Sequence, residues 1–319
     1  MRSRNLVLSG VVCAIVGSAR VASPAAFDAA STRAAIDRVI RESGADVAVA
    51  FRTLDGRSEL LIQPDTSFHA ASTMTVPVMV ELFHQARDGR LKLSDQVPVV
   101  NAFHSIVDGS PFVLDTSDDS DAGVYTHIGG SMSYRDLCEA MITVSSNFAA
   151  NLLIEHLGAP NIQRTTDALG GGGMHVLRGV EDTKAFERGL NNTTTARALM
   201  TLLEAIAHGR AVDRQASSEM RAILERQHFN DRIPAGLPPG TVVAHKTGEI
   251  TKIQHDAAIV YAPRPFLLVI LIRGLDDPAR GAALAADITR VIYRASQAAG
   301  STDRKRPAGP EGPAVERER

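Results

Sequence analysis

The pattern of apolar and polar residues predicts that the chain opens with a helix and a β-hairpin. Apolar residues recur on one face over 30–42, at the three- and four-residue spacing of an amphipathic helix. They then alternate with smaller or polar residues over 47–51, which is typical of a half-buried strand. Asp55-Gly56 predicts a tight turn, and a return strand follows over 60–62.

A block of helices is predicted for the middle of the chain. The clearest helix spans 72–88, and others are predicted over 133–144, 149–157 and 195–208. The apolar face of the first of these consists of Val76, Met79, Val80 and Phe83. An acidic run over 115–121 is interpreted as a solvated loop, because its spacing does not match a calcium-binding loop.

The last third of the chain returns to strands. Apolar, β-prone segments span 241–245, 253–261 and 266–272, and a closing helix is predicted over 279–298. Since strands stand at both ends of the chain and helices between them, the order predicts an α+β fold. In that fold both chain ends share one antiparallel sheet, and the helical block lies beside it. Substrate sites favour such junctions.

Each end of the chain carries a segment that is interpreted as lying outside the folded unit. Arg2 and Arg4 precede an apolar stretch and small residues, which predicts a cleaved signal peptide over 1–25. The apolar stretch is too short for a comfortable membrane anchor, so a periplasmic or secreted protein without membrane contact is expected. Residues 299–319 are rich in Pro, Gly and charge and predict a disordered tail.

The composition argues against several classes of protein. The 319 residues are 44% hydrophobic, which is enough to bury a substantial core. A net charge of -2, the absence of Trp and an aromatic content of 4% argue against a nucleic-acid partner. Removal of the signal leaves only Cys138, so no intramolecular disulfide is possible and a buried thiol is expected. The ten histidines lack the short spacings of zinc hydrolases, and neither a metal nor another cofactor is expected.

Two single residues carry candidate chemistry. Ser72 stands at the start of the predicted helix, where free N–H groups and the helix dipole favour developing negative charge. Its ordinary interpretation is a helix cap. Glu181 offers a carboxylate that can activate water as a general base, although an isolated glutamate is usually surface charge.

Two tripeptides complete the candidate set. Ser145-Ser146-Asn147 lies between two predicted helices, where a hydroxyl could relay a proton and an amide could hold a carbonyl or a glutamate. Lys246-Thr247-Gly248 lies at the end of a predicted strand and supplies a charge, a hydroxyl and close backbone approach. Alone, each is also consistent with an ordinary break or strand end.

Taken together and in this order, the motifs resemble those of the penicillin-recognising serine enzymes, and Glu181 points to the class A β-lactamase family. The resemblance covers about 30–298 and includes four more matching segments: Phe68–Met74, Ile142–Ser145, 149–153 and the triple threonine over 193–195. It implies a β-lactamase/transpeptidase-like fold with a five-stranded antiparallel sheet flanked by helices and an inserted all-helical domain. The sheet domain would comprise 26–68 and 210–298, and the helical domain 69–209.

The resemblance also implies a role for each matching residue. Ser72 would be the acylated nucleophile, Ser145 would pass a proton to the departing lactam nitrogen, and Glu181 would deprotonate the deacylating water. Lys246 completes this catalytic group. The expected partner is a small β-lactam substrate, bound by a monomer.

Four residues are expected to bind the substrate. Thr247 would hold the substrate carboxylate together with Lys246, and Gly248 would allow close approach. Asn147 would contact the substrate amide. The backbone N–H groups of Ser72 and Glu249 would form the oxyanion hole, where electrostatic stabilisation is usually large.

The chain departs from the family pattern at several positions. The family carries Lys three residues after the nucleophile, whereas this chain has Thr75, which is uncharged and cannot act as a base near neutral pH. Ser146 stands where many members carry Asp, and Ala185 where many carry an Asn that helps to hold the hydrolytic water. A cysteine pair that some members bridge corresponds here to Met79 and Cys138, so that bridge is lost.

Three functions stay open on the sequence. The first is a β-lactam hydrolase, impaired by Thr75. The second is a D,D-peptidase or esterase that uses the same cleft; Glu181 argues against it, because peptidases of this family lack that residue, whereas Ala185 keeps it open. The third is a non-catalytic penicillin-binding protein or sensor, which Thr75 motivates.

Overall fold

A five-stranded antiparallel sheet combines strands from both ends of the chain. The structure, a computed structural model, describes residues 26–298, so the predicted signal peptide over 1–25 and the predicted tail over 299–319 lie outside the described residues. The strands of all sheets in the described range are β1 (Asp46–Thr53), β2 (Glu59–Ile62), β3 (Phe68–His69), β4 (Gln96–Pro98), β5 (Phe103–His104), β6 (Pro111–Phe112), β7 (Ser131–Ser133), β8 (Thr193–Thr194), β9 (Val242–Ile250), β10 (Ile253–Tyr261) and β11 (Phe266–Arg273).

Helices fill the middle of the chain and flank the sheet. Within the described range the α-helices are α1 (Ala29–Ser43), α2 (Thr75–Arg87), α3 (Tyr134–Thr143), α4 (Asn147–Leu157), α5 (Ala159–Ala168), α6 (Thr183–Glu187), α7 (Ala196–Ala207), α8 (Arg214–Leu224) and α9 (Pro278–Ala298). Their starts follow local capping chemistry: the side chains of Asp28, Thr195 and Asp213 each accept a hydrogen bond from a backbone N–H in the first turn of α1, α7 and α8.

The spatial order of the sheet is β2-β1-β11-β10-β9, and every neighbouring pair is antiparallel. Strands β1 and β2 come from the start of the chain and the other three from its end. The predicted α+β class, with both chain ends in one antiparallel sheet, is therefore confirmed. Strand β9 lies at one edge, and this edge carries the Lys246-Thr247-Gly248 motif.

Apolar cores cover both faces of the sheet, as the central strand β11 shows. Leu267, Val269 and Leu271 point into the core formed with the helical block. The alternate residues of β11 point to the opposite face, where they meet Ile36 of α1 and Ile288 of α9. A strand with both faces buried needs no polar alternation, because successive side chains point to opposite sides. This explains the unbroken apolar sequence over 266–272.

The predicted helix over 72–88 is corrected at its start. Residues Ala71–Met74 form a 3-10 turn, and α2 begins only at Thr75. Ser72 is therefore not the helix cap that its ordinary interpretation would make it. Pro77 supplies the reason: it has no N–H to donate to Thr73, so the α-helical hydrogen-bond pattern cannot begin earlier, whereas proline is tolerated in the first turn.

The predicted strand over 241–245 is corrected at its end. Strand β9 continues to Ile250, so Lys246-Thr247-Gly248 lies inside the strand and not after it. The extension comes from pairing with β10, where Thr247 lies opposite Asp256 and Gly248 opposite His255. Polar residues persist there because this part of the edge strand faces the cavity described below.

Two further expectations concern the chain as a whole. No helix among residues 26–298 is both long and apolar enough to cross a bilayer. The predicted division into a sheet domain, 26–68 with 210–298, and a helical domain, 69–209, stays a prediction.

Candidate active site

A cavity of about 550 Å³ lies at the β9 edge of the sheet. Four residues predicted from the sequence line it: Ser72, Ser145, Thr247 and Glu249. They come from three distant parts of the chain, so the fold brings together what the sequence separates. Other residues that line the cavity were not predicted, among them Ser120, Phe229, Asp231 and Arg232.

Ser72 is held by a strained turn against strand β9. The preceding residue, Ala71, has a φ of +46°, a value that non-glycine residues rarely adopt. Its backbone N–H donates to Nδ1 of His69 at 3.0 Å, which fixes this conformation. Strand β9 passes so close that a Cβ on Gly248 would lie 3.1 Å from the backbone N of Thr73. Gly248 therefore permits the close approach that puts Ser72 beside the strand.

Ser145 is positioned by Lys246. The lysine Nζ donates to Oγ of Ser145 at 2.8 Å and to the backbone carbonyl of Thr247 at 3.0 Å. Ser145 has a φ of +59°, so this contact belongs to another strained backbone position. Lys246 is fully buried, and burial lowers its pKa to about 7, with the nearby Arg232 guanidinium acting in the same direction.

Glu181 and Asn147 form a second group next to the cavity. Nδ2 of Asn147 donates to Oε1 of Glu181 at 2.7 Å and to the carbonyl of Asp118 at 3.2 Å. Burial raises the pKa of Glu181 above its ordinary value, the hydrogen bond from Asn147 opposes this, and Asp118 adds to the rise. Neither residue lines the cavity, but Asn147 begins α4 only two residues after Ser145, which ties the two groups together.

The segment that carries Glu181 is clamped to α4. Asn151 donates to the carbonyl of Val180 at 3.0 Å and accepts from the N–H of Val180 at 2.6 Å. A Cβ on Gly179 would clash with Oδ1 of Asn151, so only glycine fits there. After Glu181, whose φ is +63°, Asp182 accepts from Ser105 at 2.8 Å. The clamp compensates for a backbone conformation that would otherwise be unfavourable.

Asp119 is a site residue that the sequence analysis missed. Its carboxylate accepts the N–H groups of Asn147 and Phe148, each at 2.9 Å, at the start of α4. The acidic run over 115–121 is therefore not only a solvated loop, because Asp119 satisfies free donors of a helix and matches its dipole. Ser146 caps the same helix through Ala149 at 3.3 Å. The carboxylate absent at position 146 is thus supplied by a distant loop.

Thr75 occupies the position where the family carries lysine. Its side chain is 3% exposed. Its Oγ1 donates to the backbone carbonyl of Ser72 at 2.8 Å, so the hydroxyl satisfies the helix start and does not substitute for a charge. Two other departures behave as ordinary packing: Ala185 is buried and donates its N–H to Asp182 at 3.1 Å, and Cys138 is buried as a free thiol.

The model of the beta-lactamase enzyme family matches residues 31–296, almost the whole described range. The chain belongs to this family. It is 30% identical to a β-lactamase of Bacillus licheniformis over 53% of this chain, and the match spans only 57% of that protein. With a β-lactamase of Streptomyces fradiae it shares 28% identity over 92% of this chain and 96% of that one.

A solved structure extends the match to three dimensions. A mutant of PBP-A, described as an acyl-enzyme complex with penicillin G, has a TM-score of 0.71 and 25% identity, over 83% of this chain and 96% of that one. The fold of this β-lactamase family member is accordingly β-lactamase/transpeptidase-like, as the resemblance implied.

Proposed function

We propose that this chain is a serine β-lactamase-type hydrolase that opens the lactam ring through an acyl-enzyme on Ser72. The observation that carries the proposal is the joint presence of Ser72 and Ser145 in one cavity, with Lys246 donating to Ser145 at 2.8 Å. A nucleophile and a proton relay are the pair that acyl transfer to an amide nitrogen needs.

In the acylation step, Oγ of Ser72 attacks the lactam carbonyl carbon, and the carbon–nitrogen bond of the ring breaks. Ser145 gives its proton to the departing nitrogen and is reprotonated by Lys246. The backbone N–H groups of Ser72 and Glu249 stabilise the oxyanion. Thr247, which lines the cavity, holds the substrate together with Lys246, and Asn147 contacts the amide side chain of the substrate.

The proton of Ser72 also needs an acceptor, and Thr75 provides none. Within the site, Glu181 can take this proton through a water molecule. The neutral form of Lys246, well populated near pH 7 because burial lowers its pKa to about 7, can take it through Ser145. Both routes are longer than transfer to a lysine one helical turn from the nucleophile. Acylation is therefore expected to be slow but not abolished.

Once Glu181 is ionised, having passed any proton it took from Ser72 to Lys246 or to water, it deprotonates the water that attacks the acyl carbonyl. The bond to Oγ of Ser72 then breaks, and Glu181 returns the proton to Oγ. A raised pKa makes its carboxylate a stronger base, and the hydrogen bond from Asn147 orients it. Because Ala185 offers only a methyl group where many members have an amide, deacylation is also expected to be slower than in other members.

Intact-mass spectrometry with penicillin G tests the proposal. The expected result is a mass increase of one penicillin on Ser72, absent in Ser72→Ala and longer-lived in Glu181→Gln, because the variant still acylates but cannot activate water. An adduct that survives in Ser72→Ala, or none in any form while the protein is folded, would contradict the proposed nucleophile.

A second candidate function is a non-catalytic penicillin-binding protein or sensor. The buried, uncharged Thr75 favours it. Reversible binding of penicillin without any adduct on Ser72 would select this function. Turnover of a D-Ala-D-Ala peptide, but of no lactam, would instead select the D,D-peptidase or esterase.

We also propose that the protein is exported and acts as a monomer in the periplasm or outside the cell. Support comes from Arg2, Arg4 and the apolar stretch that follows them. Sequencing the N-terminus of the mature protein should find cleavage close to Ala25, and light scattering should give the mass of one chain. An intact N-terminus would contradict export by cleavage.

A further inference from the structure

Two basic side chains are buried at the cavity. Lys246 is fully buried and Arg232 is 3% exposed, and the Arg232 guanidinium is close enough to lower the pKa of Lys246. Arg232 lines the cavity, and its Nε has no hydrogen-bond partner within the described residues. A desolvated guanidinium with an unpaired N–H favours an anion between it and the solvent.

The chain supplies this anion itself. The guanidinium of Arg232 donates to the carboxylate of Glu249, the residue that follows Gly248 on strand β9. The Glu249 side chain is 47% exposed and lines the same cavity, so it stands between Arg232 and any bound ligand. Glu249 was predicted only as a backbone N–H donor; in the structure its side chain also pairs with Arg232.

Among the described residues, the other charged groups of the cavity wall do not include an unpaired cation that could bind an anion. Lys252 forms an ion pair with Asp276, with Nζ and Oδ1 at 3.0 Å. Asp231 adds one more carboxylate. The wall thus contains three acidic side chains, Asp231, Glu249 and Asp276, and two basic ones, Arg232 and Lys252. Apart from Lys246 and Thr247, a substrate carboxylate would meet carboxylates here and a guanidinium that is already paired.

We propose that Glu249 determines the substrate class, because it competes with an anionic substrate group for Arg232 and so favours acyl substrates that are uncharged at this position, such as esters or amides. This inference rests on the proposed function, since it concerns the ligand of the same cavity. An anion must displace Glu249 from a buried partner, or stay beside it and suffer like-charge repulsion, whereas a neutral group does neither.

The test compares penicillin G with its methyl ester, two probes that differ only in this charge. Binding is measured by calorimetry on Ser72→Ala protein, which needs no chemistry, and acylation by intact mass on protein with Ser72. The ester should be preferred by the original protein. Glu249→Gln, which keeps the size of the side chain, should shift the preference about tenfold toward the acid, and Glu249→Ala should do the same.

Asp231→Asn is the matched control. It removes the same charge from the same cavity but leaves the pair of Arg232 and Glu249 intact, so the acid-to-ester ratio should change by less than about threefold. An unchanged ratio in both Glu249 variants, or an equal shift in Asp231→Asn, would overturn this inference alone. Failure of both probes to bind or to acylate any folded variant would overturn the proposed function as well.

Discussion

Thr75→Lys is the change that separates a slow enzyme from a non-catalytic binding protein. It would restore an ammonium group one helical turn after Ser72, at the first residue of α2. In the structure, Thr75 is 3% exposed and its Oγ1 donates to the carbonyl of Ser72 at 2.8 Å. The larger side chain must therefore leave this contact and extend toward the cavity.

The variant is expected to lower the activation free energy of acylation by more than it lowers the free energy of unfolding. A positioned general base contributes roughly 10²–10⁴-fold, which corresponds to about 3–5 kcal/mol of activation free energy. Overpacking a buried position costs about 1–3 kcal/mol of folding free energy. Typical domains are stable by about 5–15 kcal/mol, so the variant should fold and acylate Ser72 faster by two orders of magnitude or more.

The assay follows adduct formation on Ser72 with penicillin G by intact mass, together with hydrolysis of a chromogenic cephalosporin. Thr75→Met is the control, because methionine is long and flexible but uncharged, and it should reproduce the packing cost without the gain in rate. If folded Thr75→Lys acylates no faster than Thr75→Met, a lysine at this position is not the group that limits the chemistry.

Three further predictions test the supports of the site. Burial lowers the pKa of Lys246 from the ordinary 10.5 to about 7. Between these two pKa values the unfolded chain binds more protons than the folded one, so the free energy of unfolding should rise with pH across this window. Urea denaturation at about pH 6 and about pH 9 should therefore show a smaller rise in the free energy of unfolding for Lys246→Met than for the original protein. Asp119→Asn should destabilise the protein by about 1 kcal/mol, since it removes the negative charge at the start of α4, whereas Asp118→Asn should not; equal melting temperatures would contradict this. Gly179→Ala should lower the free energy of unfolding by about 1–3 kcal/mol and slow deacylation, because it displaces the clamp on the Glu181 segment. Gly172→Ala is the control: a Cβ there would meet its nearest atom at 3.8 Å, so stability and deacylation rate should both stay unchanged.

Local chemistry explains which parts of the fold could be predicted. The predicted strand over 253–261 coincides with β10, because the Pro-containing turn after it ends the strand whatever the rest of the chain does. The predicted helix over 195–208 differs from α7 by a residue at each end, as expected for an amphipathic segment with a threonine cap. The end of β9 could not be predicted, because its extension depends on pairing with β10.

The residues of the candidate site also divide into those that the sequence could predict and those that it could not. The motif residues were identified because their types and order resemble a known family. Arg232 and Asp119 were missed, since each acts through a partner that is distant in the chain or in a loop without a motif. A signal for Asp119 did exist, namely a carboxylate run in a chain that lacks the usual Asp at position 146. Only the folded structure shows which of the four aspartates in that run reaches α4.

The backbone conformation of the site does not depend on the side chain at position 75, so Thr75 affects the charge of the site and not its geometry. Ala71, Ser145 and Glu181 all have a positive φ, a conformation that costs about 1–3 kcal/mol and persists only where neighbours impose it. Those neighbours are His69 for Ala71, Lys246 for Ser145, and the clamp and hydrogen bond around Glu181. None of these contacts passes through the side chain of Thr75, whose hydroxyl bonds only to the backbone of its own turn among the described residues. Its presence therefore removes a charge from a site whose geometry is otherwise intact, which is why one substitution is expected to restore fast acylation.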